Sequence, residues 1–428
     1  MHPILQKIIA VFKDKQLRNK ILFVLGVLVI FRLAANIPLP GINTETLQQF
    51  FSQNQFFGLL NLFVGGALSN LSIVMLGLGP YITAVIIMQL LTMIFPQLEK
   101  MYKEEGEAGR RKVNQYGRYL AVPLALLQSY AMLVLLQRQG AISGLSGLQI
   151  IISILTVAGG SLLLMWLGEL ITEKGIGNGV SILIFAGIIA RTPTEVRQLA
   201  LGWDPSKLFS YIAFFAVSVL IIAGVVLITE ARRNIPVSYA KRVRGNKMYG
   251  GVSTYLPVNL NPAGVIPIIF ALSILLLPTM LTNFLAGGGN ATLAAISTMI
   301  TNFLQNPWIH GVLFFSLVFL FTFFYTAVTF DPQAIANNLQ KIGGFVPGLR
   351  PGDKTAKFLH KILYRVLFIG ALFLGFIAVL PSIIQGATGV RAFQFLIGGT
   401  ALLIVVSVVL DIWRQVKSQM EMREYERF

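Results

Sequence analysis

The chain has 428 residues, of which 55% are hydrophobic and only 12% charged, and its mean hydropathy is +0.74. A soluble domain of this length needs a charged exterior to stay dispersed, so the balance excludes an ordinary soluble protein. A net charge of +17 would suit nucleic acid, but the charges are sorted by position, and no direct nucleic-acid specificity is expected.

Residues 1–20 form a basic segment with Lys7, Lys13, Lys15, Arg18 and Lys20, followed by an apolar span at Ile21–Ile37. Arg32 ends that apolar core and more spans follow, which favours a retained span over a cleaved signal. Asn36–Asn70 is long and apolar, with Glu45 its only charge. Hydropathy then predicts spans at Leu71–Phe95, Tyr119–Leu136, Leu148–Gly168, Phe209–Ile228, Pro262–Leu281, Ile309–Phe330, Ile362–Ile383 and Phe393–Leu410. Met248 to Phe330 contains no Asp, Glu, Lys or Arg, as expected where lipid is the solvent.

Val180–Ala190 is too short to pass a length test alone. Charge decides the matter. If the N-terminus is cytoplasmic and this segment crosses, all but six of the 34 Lys and Arg lie inside. The six are Arg32 within the first span and Arg138, Arg191, Arg197, Lys207 and Arg391 outside. Without that crossing, the positive-inside pattern fails for everything downstream. Ten spans are therefore expected, with both termini cytoplasmic and the short span buried among its neighbours. The long basic loops 229–260 and 331–361 both fall inside and read as docking surfaces, with turn signals at Pro347-Gly348 and Pro351-Gly352.

No carboxylate lies mid-span, since Glu169 and Asp411 sit at span ends. This weakens an ion-coupled secondary transporter for a small solute, which is the alternative reading. Zero cysteines exclude disulfides and thiolate chemistry, and the separated His2, His310 and His360 predict no metal site. Gly175-Ile-Gly-Asn-Gly179 and Gly352-Asp-Lys-Thr355 lack the context of phosphate loops, so no ATPase, no enzyme activity and no cofactor is expected, and the former reads as a flexible turn. Leu76-Gly-Leu-Gly-Pro80 and Pro262-Ala-Gly264 with Pro267 break two spans at their starts. If the chain is two five-span halves, these are the second spans of each, and matched irregularities mark a functional axis.

Eight motifs in order complete the picture. Phe63-Val-Gly-Gly-Ala-Leu-Ser69, Leu78-Gly-Pro-Tyr-Ile82, Gln89-Leu-Leu91, Gly106-Glu-Ala-Gly-Arg-Arg111 and Gly175-Ile-Gly-Asn-Gly179 come first. Asn261-Pro-Ala-Gly-Val-Ile-Pro267, Phe345-Val-Pro-Gly-Leu-Arg-Pro-Gly352 and Gly398-Gly-Thr400 follow. Together they closely resemble the SecY family, channel subunits of the Sec protein translocase. The resemblance implies an all-α integral membrane protein with ten transmembrane helices in two inverted five-helix halves around a central pore. The first half would run over 21–200 and include a plug at 57–68. The second would run over 201–412, with residues 413–428 as a cytoplasmic tail.

By the same resemblance, the constriction would be lined by Leu78, Ile82, Val180, Ile184, Ile269 and Ile404. The plug would contain Phe57, Gly58, Leu59, Leu60, Phe63, Gly65, Gly66 and Leu68. Thr83, Gln89 and Asn261 match polar positions of a lateral gate, and Pro262 departs from the family pattern beside it. Arg350 would contact the SecA motor, and Arg232, Arg233, Lys241, Arg242, Arg244 and Lys247 would dock the ribosome or the motor. The implied partners are SecE and SecG small membrane subunits, SecA, the ribosome, signal-sequence-bearing polypeptides and membrane lipids. The implied location is the bacterial cytoplasmic (inner) membrane.

Overall fold

The computed structural model describes residues 14–39, 64–68, 70–138, 146–201, 205–239, 242–244, 247–249, 253–286, 306–388 and 399–426, with a few more between 295 and 303. Helix α1 (Lys15–Ala35) starts where the Asp14 carboxylate accepts the backbone N–H groups of Gln16 and Leu17, and Arg32 lies in its last turn. The next expected span begins late. Residues 71–78 are turns, and α2 (Gly79–Ile94) forms only past Gly77 (φ +57°), with Pro80 in its first turn. At Phe95 the chain bends by 105° into the short α3 (Pro96–Lys103).

The first half continues with α4 (Gly106–Arg138), α5 (Gly147–Lys174), which opens on a Ser146–Gln149 capping box, and α6 (Gly179–Leu201). The second half is α7 (Leu208–Glu230), α8 (Ile266–Ala286), α9 (Pro307–Thr329), α11 (Asp353–Thr388) and α12 (Gly399–Glu426), with the short α10 (Pro332–Lys341) after α9. Each of the ten expected spans therefore holds a helix. By length and composition, five helices among the described residues can cross a membrane, or six if the bent α2–α3 pair is one span. Gly179–Thr194 and Ile266–Leu275 are apolar but short. Helix α6 tolerates its shortness because Ile182, Leu183, Ile184 and Ile188 are buried against neighbouring helices rather than set in lipid. By contrast, α7 turns Phe209, Phe215, Leu220 and Leu227 outward, as lipid contact requires.

Glycine sets the closest helix approaches. A Cβ at Gly179 would stand 1.8 Å from the Gly168 carbonyl oxygen, and one at Gly160 would stand 2.0 Å from that of Ile73. The Gly175–Gly179 turn is thus packed rather than loose: Gly177 (φ +87°) donates its N–H to Gln415 Oε1 of α12 at 2.7 Å, and Gly179 donates to Thr172 Oγ1. Flexibility is the wrong description of this cluster, because backbone contact, not swing, requires its glycines.

The two long basic loops are one folded unit. Strand β1 (Arg232–Tyr239) pairs antiparallel with β4 (Ser253–Asn259) on one edge and with β5 (Gly344–Phe345), from the second loop, on the other. Strands β2 (Arg242–Arg244) and β3 (Lys247–Tyr249) form a separate hairpin. Ile235, Val258, Val346, Leu359 and Leu363 make a small core beneath the three-stranded sheet. The turn signals and charge of these loops do not announce the strands.

Gly179→Ala should cost about 1–3 kcal/mol, because the new methyl meets backbone that cannot yield. Gly159→Ala, with nothing within 4 Å, should change stability by less than ~0.5 kcal/mol. Thermal unfolding midpoints of the detergent-solubilised variants check the contrast.

Candidate functional site

At the centre of the helix bundle, four helices converge. Leu78 caps α2 and Ile82 lies one turn on; Val180 and Ile184 come from α6, Ile269 from α8 and Ile404 from α12. All six belong to a single apolar cluster, with Ile404 fully buried, Ile82 only 8% exposed and Val180 partly buried at the margin. Val64 and Ala67, from the turn at 64–68, lie in the same cluster. Around these six, the cluster is built from aliphatic and phenylalanine side chains, with Tyr325 packed against it.

The two halves reach this point by matching routes. Gly77 (φ +57°) is followed three residues later by Pro80 and five residues later by Ile82. Gly264 (φ +60°) is followed at the same intervals by Pro267 and Ile269. A left-handed glycine reverses the chain, a proline in the first turn starts a helix, and the isoleucine that follows is carried to the centre. Residues 262–265 are a turn and α8 starts at Ile266, so Pro262 lies outside the helix and removes no helical hydrogen bond.

The polar positions lie on a seam where α8 packs against α2 and α4. Thr83 is buried and donates to the Gly79 carbonyl of its own helix at 2.9 Å. Asn261 Nδ2 donates to the Gly264 carbonyl at 3.0 Å, within its own turn. Neither bond crosses the seam. Gln89 Oε1 and Asn261 Oδ1 are buried with no hydrogen-bond partner. A buried acceptor left unmade costs about 1–3 kcal/mol, so the closed seam carries a built-in penalty.

Ion pairs tie neighbouring helix ends together in each half. Arg118 Nε of α4 donates to Glu169 Oε1 of α5 at 2.6 Å, and the Tyr81 hydroxyl of α2 reaches the same oxygen at 3.5 Å. In the second half, Arg414 of α12 donates to Glu230 Oε1 at 2.8 Å and to the Thr229 carbonyl, the C-terminal end of α7, at 2.7 Å. Asp411 joins this group at 3.5 Å, and burial pushes its carboxyl above the usual range, with Arg414 opposing the shift. Part of the signal was present in the sequence: Glu169 and Asp411 are carboxylates at span ends and call for basic partners, which Arg118 supplies from a neighbouring helix and Arg414 from the same helix. Both pairs stay within one half.

The other expected site residues are placed as follows. Of the plug set, Gly65, Gly66 and Leu68 are described and buried, whereas Phe57, Gly58, Leu59, Leu60 and Phe63 lie outside the described residues. Arg232 and Arg233 are exposed on β1. Arg242, Arg244 and Lys247 are described in backbone only, and Lys241 lies outside the described residues. Arg350 is exposed, while its backbone is held by the Thr355 hydroxyl on its carbonyl at 2.9 Å and by buried Val346 beside it.

A family model of SecY matches residues 72–413. The chain belongs to the SecY family. It is 41% identical to the protein translocase subunit SecY of Mycobacterium bovis, covering 99% of both chains, and 43% identical to that of Corynebacterium glutamicum, covering 98% of both. The SecY of Thermotoga maritima is 42% identical, with 97% of this chain and 96% of the relative covered. Among solved structures, the fold resembles a protein-conducting channel with a TM-score of 0.66 at 20% identity, covering 93% of this chain and 91% of the other. It also resembles Sec61 in a canine ribosome–channel complex from the endoplasmic reticulum, with a TM-score of 0.63 at 19% identity and the same coverage. As a SecY-family member the chain is a membrane channel subunit of a protein translocase and not an enzyme, and the solute-transporter reading gains no support from these relatives.

Gln89→Met removes the unpartnered buried oxygen at nearly constant volume, so it should stabilise the closed protein by about 1 kcal/mol. A raised thermal midpoint is the expected result, and a lowered one would show that Oε1 has a partner in the native protein.

Proposed function

We propose that this chain passes unfolded polypeptides outward through the Leu78, Ile82, Val180, Ile184, Ile269 and Ile404 ring and releases hydrophobic segments sideways between α2 and α8. The supporting observation is the ring itself: aliphatic residues from four helices of both halves meet in one buried cluster with the root of the plug. An aliphatic ring seals by excluding water and parts around a passing chain without chemical selectivity. The seam with Thr83, Gln89 and Asn261 is the lateral gate. Its two unpartnered acceptors favour opening, because water or an entering segment's N–H groups can satisfy them.

Ion pairs confined to each half leave that opening unopposed by charge. The segment 57–68 is the plug. A structural relative's plug is described as stabilising the closed channel and maintaining a membrane seal, and the same role is assigned here. The unit formed by the loops 229–260 and 331–361 is the docking surface for SecA and the ribosome, with Arg232, Arg233, Lys241, Arg242, Arg244, Lys247 and Arg350 as its basic contacts. Arg350 suits the part, with a fixed backbone and a free guanidinium at a rigid turn. SecE and SecG are the small membrane partners. The bacterial cytoplasmic membrane is the location, with the segment 1–20, the tail 413–428 and both termini inside. The domain division is 21–200 and 201–412.

Reconstituted with its motor and a signal-bearing precursor, the protein should render the precursor protease-protected. Failure with a competent motor overturns the channel reading. Arg350→Glu should reduce motor-driven protection at least roughly tenfold, through reversal of a charge at a docking contact, while the channel itself still inserts. Undiminished protection in that variant refutes the docking role.

A further inference from the structure

Two of the six Lys and Arg residues placed off the cytoplasmic side, Arg32 and Arg191, converge on one glycine pair. Arg32 Nη1, in the last turn of α1, donates to the Gly65 carbonyl at 2.9 Å. The Arg191 side chain of α6 runs along Gly66, its Cδ 3.6 Å from where a Cβ on that glycine would stand. Gly65 and Gly66 are both left-handed (φ +68° and +85°), and a Cβ on Gly65 would lie 2.9 Å from the Cα of Gly187 on α6. The turn at 64–68 is buried throughout and contributes Val64 and Ala67 to the central cluster.

A helix-end arginine is ordinary as a partner of the helix dipole. That role does not require a bond to a carbonyl 33 residues away. The backbone bonds of the turn run locally, from Ala67 to Val64, from Leu71 to Leu68 and from Ser72 to Ala67. Just beyond the turn, the chain is stapled to the exit of α1 by Leu39 N–H to the Leu71 carbonyl at 2.9 Å and Ile73 N–H to the Ile37 carbonyl at 3.0 Å. Residues 71–73 thus form a fixed root, and the charge-assisted bond from Arg32 is among the contacts, with apolar packing and the Gly65–Gly187 approach, that seat the turn before it.

We propose that Arg32 is the positioning residue of the plug: its bond to the Gly65 carbonyl sets how often the resting channel opens. This rests on the channel reading above. Apolar packing alone permits sliding, whereas a charged donor aimed at a single carbonyl specifies one seat. Opening breaks this bond and leaves the staple at 71–73 in place, so the plug returns to the same position.

The test uses purified channel in sealed vesicles, with the motor absent, and measures halide efflux. Arg32→Met should raise resting efflux roughly tenfold, as expected for loss of one charge-assisted hydrogen bond. The chain has no native cysteine, so Val64→Cys gives a second reading: its labelling by a membrane-impermeant maleimide should rise by a similar factor when combined with Arg32→Met. Gly65→Ala, which pushes the turn off Gly187 while keeping Arg32, should also leak. If Arg32→Met does not accumulate, Arg32→Gln carries the same expectation. An accumulated Arg32 variant as tight as wild type, with Gly65→Ala leaking or not, overturns the proposal, because packing then suffices. Motor-driven protection of precursor by wild-type vesicles tests the channel reading separately. Its success beside a tight Arg32 variant removes only the role given to Arg32.

Discussion

Leu78, Ile82, Val180, Ile184, Ile269 and Ile404, from four helices, lie in or against one large buried apolar cluster, and that packing is the constraint on which the rest of the structure depends. A membrane barrier must exclude water and ions at rest, and buried apolar contact does so without any group that binds what passes. Helices α2 and α8 bring Ile82 and Ile269 into this cluster from opposite halves. The repeated order of left-handed glycine, proline and isoleucine achieves this with the same local chemistry in each half. The broken start of each helix is therefore the device that carries its isoleucine into the cluster, not a defect in a span.

The strong and weak contacts are divided between the halves and the seam. Within each half, glycines permit backbone contact and ion pairs such as Arg118–Glu169 and Arg414–Glu230 tie neighbouring helix ends. Along the seam, the hydrogen bonds of Thr83 and Asn261 stay local, and among the described residues the acceptors of Gln89 and Asn261 have no partner. Separating such a seam breaks mainly apolar contacts, which lipid or a hydrophobic segment replaces at little cost. The turn at 64–68 bridges α1 and α6 through Arg32 and Gly187.

Two loops distant in the chain form one sheet through β5. Arg232 and Arg233 on β1 thus stand on a surface to which both loops contribute. A shaped surface of this kind favours specificity over simple electrostatic attraction.

Membrane residence was legible in the sequence, because lipid forbids charge over whole spans. A helix lies at each of the ten apolar segments expected, including the short α6, to which the placement of charge pointed where hydropathy alone did not. Leu78, Ile82, Val180, Ile184, Ile269 and Ile404 were singled out only through motif resemblance, since an aliphatic residue in an apolar span looks like any other until folding places it in a common cluster. The sheet was not expected because β1 and β4 carry Pro236 and Pro257 and the third strand, β5, is two residues long and comes from the other loop. The bond from Arg32 to Gly65 was equally invisible. Sequence marks Arg32 only as a charge out of place, and the partner that explains it is a backbone carbonyl, which every residue has and only folding selects.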